Sequence, residues 1–184
     1  MIVTDGVKFL SVLVMFSNIV TASAVLLFVL NKFGISKKYW EITEKLIKKY
    51  SLQILFLISL TSTLGSLYFS EVRGFTPCKL CWIQRIFMYP QLLLLAVAMY
   101  TKTKDVFKYI FVLSIVGFLI ALYHYNLQIN PNPYAPCGDI GFSVSCSENF
   151  FTYFGYITIP WMSLSAFFIN AAVSLLNFKK KNNK

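Results

Sequence analysis

The sequence has 184 residues, of which 57% are hydrophobic, 17% aromatic and only 13% charged, with a formal net charge of +10. A typical soluble domain is about 45–50% apolar and about 25% charged. An ordinary soluble globule, a disordered chain and a simple nucleic-acid-binding domain are therefore excluded, because the basic residues fall in clusters between long uncharged runs. A membrane-spanning helix takes about 20 residues, so the chain holds about five spans and no large extramembrane domain.

Apolar runs of spanning length occur at five places along the chain: 9–30, 50–69, 80–100, 109–127 and 153–178. No alternation of period two marks a membrane barrel, so we predict an all-α polytopic membrane helix bundle. The first run is predicted to be a span and not a cleaved signal peptide, because it is long and a basic flank follows it. Pro90 and Pro160 are expected to bend their helices.

The basic residues predict the orientation of these spans. Thirteen of the 17 lie in three segments, 31–49, 101–108 and 179–184, whereas the 128–152 loop has no Lys or Arg. Short loops rich in Lys and Arg stay on the cytoplasmic side. The prediction is a multi-pass protein of the bacterial cell membrane with its N-terminus outside, its C-terminus in the cytoplasm, and the segments 70–79 and 128–152 outside.

Segment 36–49 is basic and carries a few apolar side chains. It is either a helix lying in the headgroup region of the membrane, with its lysines meeting anionic lipid, or a charged connector without a special role.

All four cysteines fall on the predicted extracytoplasmic side. Cys78 and Cys81 form a C-x-x-C pair, and Cys137 and Cys146 are separated by eight residues. Disulfides persist in such oxidising compartments. A zinc site is disfavoured by the long second spacing, and we predict no metal. Two purely structural disulfides are the other alternative, but tight C-x-x-C disulfides tend to be labile and catalytic.

The C-x-x-C pair is predicted to begin the third span, where a helix N-terminus stabilises a thiolate. Arg85 follows Cys81 by four residues and so lies one turn below it on the same face. A charge within a span is a functional-site candidate, although an arginine snorkelling to the headgroups needs no function. Arg85 could hold a thiolate and donate hydrogen bonds to a quinone oxygen. His124, at a similar depth, is either a second quinone contact or an ordinary interfacial histidine, and Gln84 is ambiguous.

Three stretches resemble a known family: GSLYFSEVRGFTPCKLCWIQRIFMYP at 65–90, YHYNLQINPNPYAPC at 123–137 and FGYITIPWMSL at 154–164. They are similar to the DsbB family of membrane disulfide-forming proteins, and most similar to its BdbC type from Gram-positive bacteria. The resemblance covers about 50–178. It divides the chain into an extra N-terminal span with a basic connector at 1–49, a four-helix quinone-binding core at 50–178 and a basic tail at 179–184.

The resemblance implies a role for each cysteine. Cys78 and Cys81 correspond to the pair near the quinone, with Cys81 contacting the quinone. Cys137 and Cys146 correspond to the pair of a mobile loop, in which Cys137 is attacked by a reduced thioredoxin-like partner of the DsbA type.

The same resemblance implies a quinone, either menaquinone or ubiquinone, as cofactor, with Arg85 and His124 near it. Gln84 stands where other members carry Glu. The implied function is a quinone-dependent protein disulfide oxidoreductase. The alternatives are a quinone reductase like the vitamin K epoxide reductases and a non-enzymatic helical membrane subunit with structural disulfides.

Overall fold

A computed structural model describes residues 5–131 and 144–178. Within these ranges the chain forms six α-helices: α1 (Asp5–Lys32), α2 (Lys37–Lys49), α3 (Ser51–Leu67), α4 (Lys79–Thr101), α5 (Val106–Ile129) and α6 (Ile159–Phe178). A π-helical turn, Tyr68–Val72, prolongs α3. The β-structure in the described residues is an isolated bridge between Tyr153 and Ile157. The predicted all-α architecture is confirmed.

Five of the described helices, all except α2, are long and apolar enough to cross a membrane, as the sequence predicted. The chain is a multi-pass membrane protein. These helices expose large apolar side chains on their outer surface, which suits a lipid environment in place of water. Four of the five lysines of α2 are exposed, and Lys48 is half-buried and pairs with Glu44. Trp40 holds α2 to the end of α1, since its ring packs on Phe28 with centroids 5.1 Å apart.

The fifth span begins later than predicted, at Ile159 and not at 153. Phe154 and Gly155 have positive φ angles of 52° and 78°, and a left-handed backbone cannot continue an α-helix. The two residues instead turn the chain so that Tyr153 pairs with Ile157. Pro160 is the second residue of α6, where its missing N–H costs no helical hydrogen bond. The expectation that Pro160 bends a helix is therefore wrong, whereas Pro90 does lie inside α4.

Helices α3 to α6 form a four-helix bundle. Within it, α5 and α6 pack closely against each other. A Cβ added at Gly117 of α5 would overlap the ring of Phe167 in α6, so glycine is what allows this approach. Phe167 is fully buried, together with Leu55 of α3, Leu95 of α4 and Ile110 of α5. Small residues commonly allow such contacts between membrane helices.

A buried polar cluster joins all four helices in the middle of the bundle. Gln91 Oε1 accepts hydrogen bonds from Ser114 Oγ at 3.1 Å and from Asn170 Nδ2 at 3.0 Å. Asn170 Nδ2 also donates to Ser59 Oγ at 3.1 Å. All four side chains are 0% exposed, and polar groups inside a membrane protein need partners of this kind.

α1 lies outside the bundle and is attached at its first turns. Val7 shares a buried cluster with Phe69 and Phe151. Gly6 lies against Tyr68, where a Cβ would overlap the phenol ring. Most of the remaining surface of α1 is exposed, and it meets lipid in a membrane.

Candidate functional site

The C-x-x-C pair lies at the beginning of α4, as the sequence predicted. Cys78 is the N-cap residue, and its Sγ accepts a hydrogen bond from the backbone N–H of Cys81 at 3.4 Å. The two sulfur atoms are 3.0 Å apart, and both thiols are free. Since a disulfide is about 2.05 Å long, oxidation of the pair needs an approach of only about 1 Å.

His124 of α5 bridges Cys78 and Gln84 of α4. Its Nε2 lies 3.5 Å from Cys78 Sγ, and its Nδ1 lies 2.9 Å from Gln84 Nε2. An amide nitrogen can only donate, so Nδ1 accepts from Gln84 and the neutral ring carries its proton on Nε2. That N–H points towards the sulfur of Cys78 and stabilises its thiolate.

Cys78 lies one residue before the span of α4, and its surroundings favour the thiolate. The hydrogen bond from the Cys81 thiol has the largest effect, and the hydrogen bond from His124 acts in the same direction. Burial of the sulfur opposes them, but together these contacts lower the pKa of Cys78 to about 4. A free cysteine titrates near about 8.5, so Cys78 is ionised throughout the neutral range.

Arg85 lies one turn below Cys81 and is held by α3. Its Nε donates to Ser66 Oγ at 2.9 Å and its Nη2 donates to the Ser66 carbonyl at 3.0 Å. The guanidinium also lies 5.1 Å from the ring centre of Trp82. Tyr89 donates to the same Ser66 hydroxyl at 3.4 Å. The Nη1 group makes no hydrogen bond with any described residue, and so it remains available to a ligand.

A cavity of about 450 Å³ opens beside this arginine. Its walls come from α1, α3, α4 and α6, and they are mostly apolar. Cys81, Gln84 and Arg85 line the cavity, whereas Cys78 and His124 are not among its lining residues. The cavity therefore meets one thiol of the pair, while the other thiol lies behind it with the histidine.

Cys146 packs against the pair and does not line the cavity. It is disulfide-bonded, 1% exposed, and shares a buried cluster with Cys78, Leu80 and Leu127. Cys137, the predicted first member of the loop pair, lies outside the described residues. The site thus extends from the disulfide of Cys146 through Cys78 and Cys81 to the cavity.

Three potential metal ligands also meet here, because the sulfur atoms of Cys78 and Cys81 and a ring nitrogen of His124 lie within 4.8 Å of one another. A structural zinc ion takes four ligands. The described residues supply no fourth Cys, His, Asp or Glu to this group. The geometry would admit a metal ion only with a ligand from elsewhere.

The structure brings five predicted site residues together: Cys78, Cys81, Gln84, Arg85 and His124. His124 contacts the thiol pair directly, and is separated from the cavity where a quinone contact was expected. Two residues of this arrangement were missed: Ser66, which accepts from Arg85, and Tyr89, which donates to Ser66. Ser66 had one weak signal, since it is a small polar residue near the end of the second predicted span.

Comparisons with known proteins identify a family. The family model described as "Disulfide bond formation protein DsbB" matches residues 48–177. The chain is 41% identical over 128 residues to a "Probable disulfide formation protein C" of Halalkalibacterium halodurans, covering 68% of this chain and 90% of the relative. It is 43% identical over 115 residues to "Disulfide bond formation protein C" of Bacillus subtilis, covering 61% and 81%. No solved structure matches the chain.

Proposed function

The chain belongs to the DsbB family of disulfide bond formation proteins, and from this premise we propose that it is a quinone-dependent disulfide oxidoreductase. It oxidises the dithiol of an extracytoplasmic thioredoxin-like protein of the DsbA type and passes the two electrons to membrane menaquinone or ubiquinone. One observation carries the proposal. Cys81 lines an apolar cavity with Arg85, while Cys78 shares a buried cluster with the disulfide-bonded Cys146.

The first exchange takes place at the loop disulfide, which the family resemblance assigns to Cys137 and Cys146. A thiolate of the partner attacks the sulfur of Cys137, the bond to Cys146 breaks, and a mixed disulfide forms. The second partner thiolate then attacks the partner sulfur of the mixed disulfide and releases Cys137. The partner leaves with a disulfide, and the loop holds two thiols and the two electrons.

The second exchange moves these electrons to the pair on α4. A loop thiolate attacks the sulfur of Cys78, the bond between Cys78 and Cys81 breaks, and Cys81 leaves as a thiolate. The other loop thiol then attacks the mixed disulfide, which restores the loop disulfide and releases Cys78.

The neighbouring side chains suit each thiol to its task. Arg85, one turn below Cys81, provides a positive charge that favours Cys81 as the leaving thiolate. His124 donates from Nε2 towards Cys78 and stabilises its thiolate. A thiolate of low pKa is also a good leaving group, which favours release of Cys78 from the mixed disulfide.

The cavity residues fit a quinone. A volume of about 450 Å³ lies within the range of roughly 300–1,000 Å³ that is common for small-molecule sites. The apolar walls suit a lipid-soluble ring, and Arg85 offers a hydrogen-bond donor towards a ring oxygen. A bound quinone would accept the two electrons released when Cys78 and Cys81 form their disulfide. The two protons that complete the quinol would come from water, which took up two protons when the partner dithiol was oxidised. Gln84, which also lines the cavity, is a second polar contact.

The proposed orientation places the cysteine end of the bundle, which carries Cys78 and Cys146, outside the cytoplasm. It rests on the Lys clusters at 31–49, 101–108 and 179–184. A membrane-impermeant thiol reagent should label Cys137 in intact cells after reduction. Labelling that appears only after lysis would mean that the orientation is inverted.

The test is a quinone-reduction assay with purified protein, a reduced thioredoxin-like dithiol protein and a quinone whose absorbance is followed. We expect quinone reduction by the unsubstituted protein and its loss in Cys81→Ser. Arg85→Ala should raise the KM for quinone about tenfold or more while leaving the KM for the dithiol protein unchanged. Lys8→Ala, which removes an exposed cation outside the cavity lining, is the control. No quinone reduction by the intact protein would refute the proposal.

A further inference from the structure

One wall of the cavity belongs to a helix that the family match does not include. The match covers residues 48–177, yet Leu10, Leu13, Val14 and Ser17 of α1 line the cavity. Residues of α3, α4 and α6 also line it. The extra span is therefore part of the same site as Cys81 and Arg85.

The lining residues of α1 lie on one helical face, because their spacing of three, four and seven residues follows the helical period. The other face carries Val12, Phe16 and Ile19, which are 46%, 65% and 57% exposed. In a membrane that outer face meets lipid. α1 therefore separates the cavity from the surrounding lipid on this side.

The attachment of α1 fixes this wall at the level of the reactive groups. Leu10 lies 3.6 Å from the position of a Cβ on Gly65, the residue next to Ser66, which holds Arg85. Ser17 lies seven residues further along α1, about 10 Å deeper at 1.5 Å per residue. Leu13 and Val14 lie between these levels, and Ile58 of α3 lines the same deeper part.

We propose that α1 encloses the isoprenoid tail of the quinone, and so makes this protein selective for tailed quinones over tailless ones. This inference rests on the proposed function. The head-group end of the cavity has polar residues, Cys81, Gln84 and Arg85, whereas the α1 wall below it is apolar except for Ser17. A tailed quinone has a polar ring followed by a long apolar tail, which matches a polar end of the cavity followed by an apolar wall. The tail lies along Leu13 and Val14.

The experiment compares Val14→Phe with Val12→Phe. The two variants carry the same substitution two residues apart, on the cavity face and on the lipid face of α1. Equilibrium binding of a tailed menaquinone and of menadione, which has the same ring without a tail, is measured from quenching of tryptophan fluorescence. Overfilling a packed site weakens binding, so Val14→Phe should bind the tailed menaquinone about tenfold more weakly and menadione within about twofold of the unsubstituted protein. Val12→Phe should change neither.

Leu13→Ala gives a second test that does not depend on tolerance of a larger side chain. It removes wall surface, and we expect about threefold weaker binding of the tailed menaquinone alone. Equal binding of the tailed menaquinone by the Val14 and Val12 variants would overturn the inference, and so would equal weakening of both quinones by Val14→Phe. If neither quinone binds the unsubstituted protein, the proposed function fails and the tail assignment fails with it.

Discussion

Two polar clusters in the bundle differ in composition and in what they contact. The outer cluster joins Gln84, His124 and Cys78 at the cysteine end. The inner cluster is built around Gln91 and Asn170. Gln84 and Gln91 are seven residues apart on α4, two turns of one face, and each binds a side chain of α5. The same residue type therefore serves both clusters from one helix face.

The difference lies in the partners. The inner cluster contains only amides and hydroxyls, which do not ionise, and its members are fully buried. The outer cluster contains an imidazole and a thiol beside a second thiol that reaches the cavity. Neutral hydrogen bonds in a membrane bundle fix packing, whereas ionisable groups there mark chemistry. We therefore expect changes to the inner cluster to affect stability, and changes to the outer cluster to affect the reaction.

Three substitutions test this difference between the two clusters, and His124→Ala should have the largest effect. The variant removes a hydrogen bond that lowers the pKa of Cys78, so this pKa should rise. In the unsubstituted protein the thiolate absorbance at 240 nm should disappear as the pH falls through about 4, and in the variant at a higher pH. Quinone reduction should slow about 10- to 100-fold.

Cys78→Ser is the blank for this titration, because it removes the absorbance of the Cys78 thiolate. The same midpoint with and without His124 would contradict the role assigned to the histidine.

Gln91→Leu should lower the stability of the protein and leave its quinone reduction nearly unchanged. It leaves the hydroxyl of Ser114 without its acceptor and removes one of the two acceptors of the Asn170 amide, which should lower the free energy of unfolding by about 1–2 kcal/mol. Quinone reduction, measured below the melting transition, should stay within about twofold. Ser114→Ala loses a single bond of this cluster and should destabilise less in the same thermal or denaturant melts. A slowed reaction in a fully folded Gln91→Leu protein would erase the distinction between the clusters.

The parts of this structure that could be predicted depend on local sequence. A run of about 20 apolar residues identifies a span wherever it packs, so the five spans were found. A spacing of four on one helix brings Arg85 below Cys81, which the structure confirms by their common cavity. The C-x-x-C pair was predicted to begin the third span, and α4 begins at Lys79, one residue after Cys78.

The missed features depend on how helices are rotated against one another. The spans are apolar on every side, so no polar stripe indicates which face of α5 meets α4. The pairing of Gln84 with His124, 40 residues apart, could not follow from spacing for that reason. For the same reason, the sequence could not predict the contact of Ser66 with Arg85 or the face of α1 that lines the cavity. The turn at Phe154 was hidden because its residues are as apolar as the helix that follows.

The smallest expected effect concerns the tautomer of His124, on which the outer cluster depends. Gln84→Ala removes the donor to Nδ1, so the ring is no longer confined to the form that carries its proton on Nε2, and the turnover rate should fall about threefold. The chain has one histidine, so selective ¹⁵N labelling of histidine reports this ring alone. The unsubstituted protein should give the nitrogen shifts of a single Nε2–H tautomer and Gln84→Ala those of a mixture. Unchanged shifts would mean that Gln84 does not fix the tautomer of His124. The hydrogen bond from His124 to Cys78 would then not depend on Gln84.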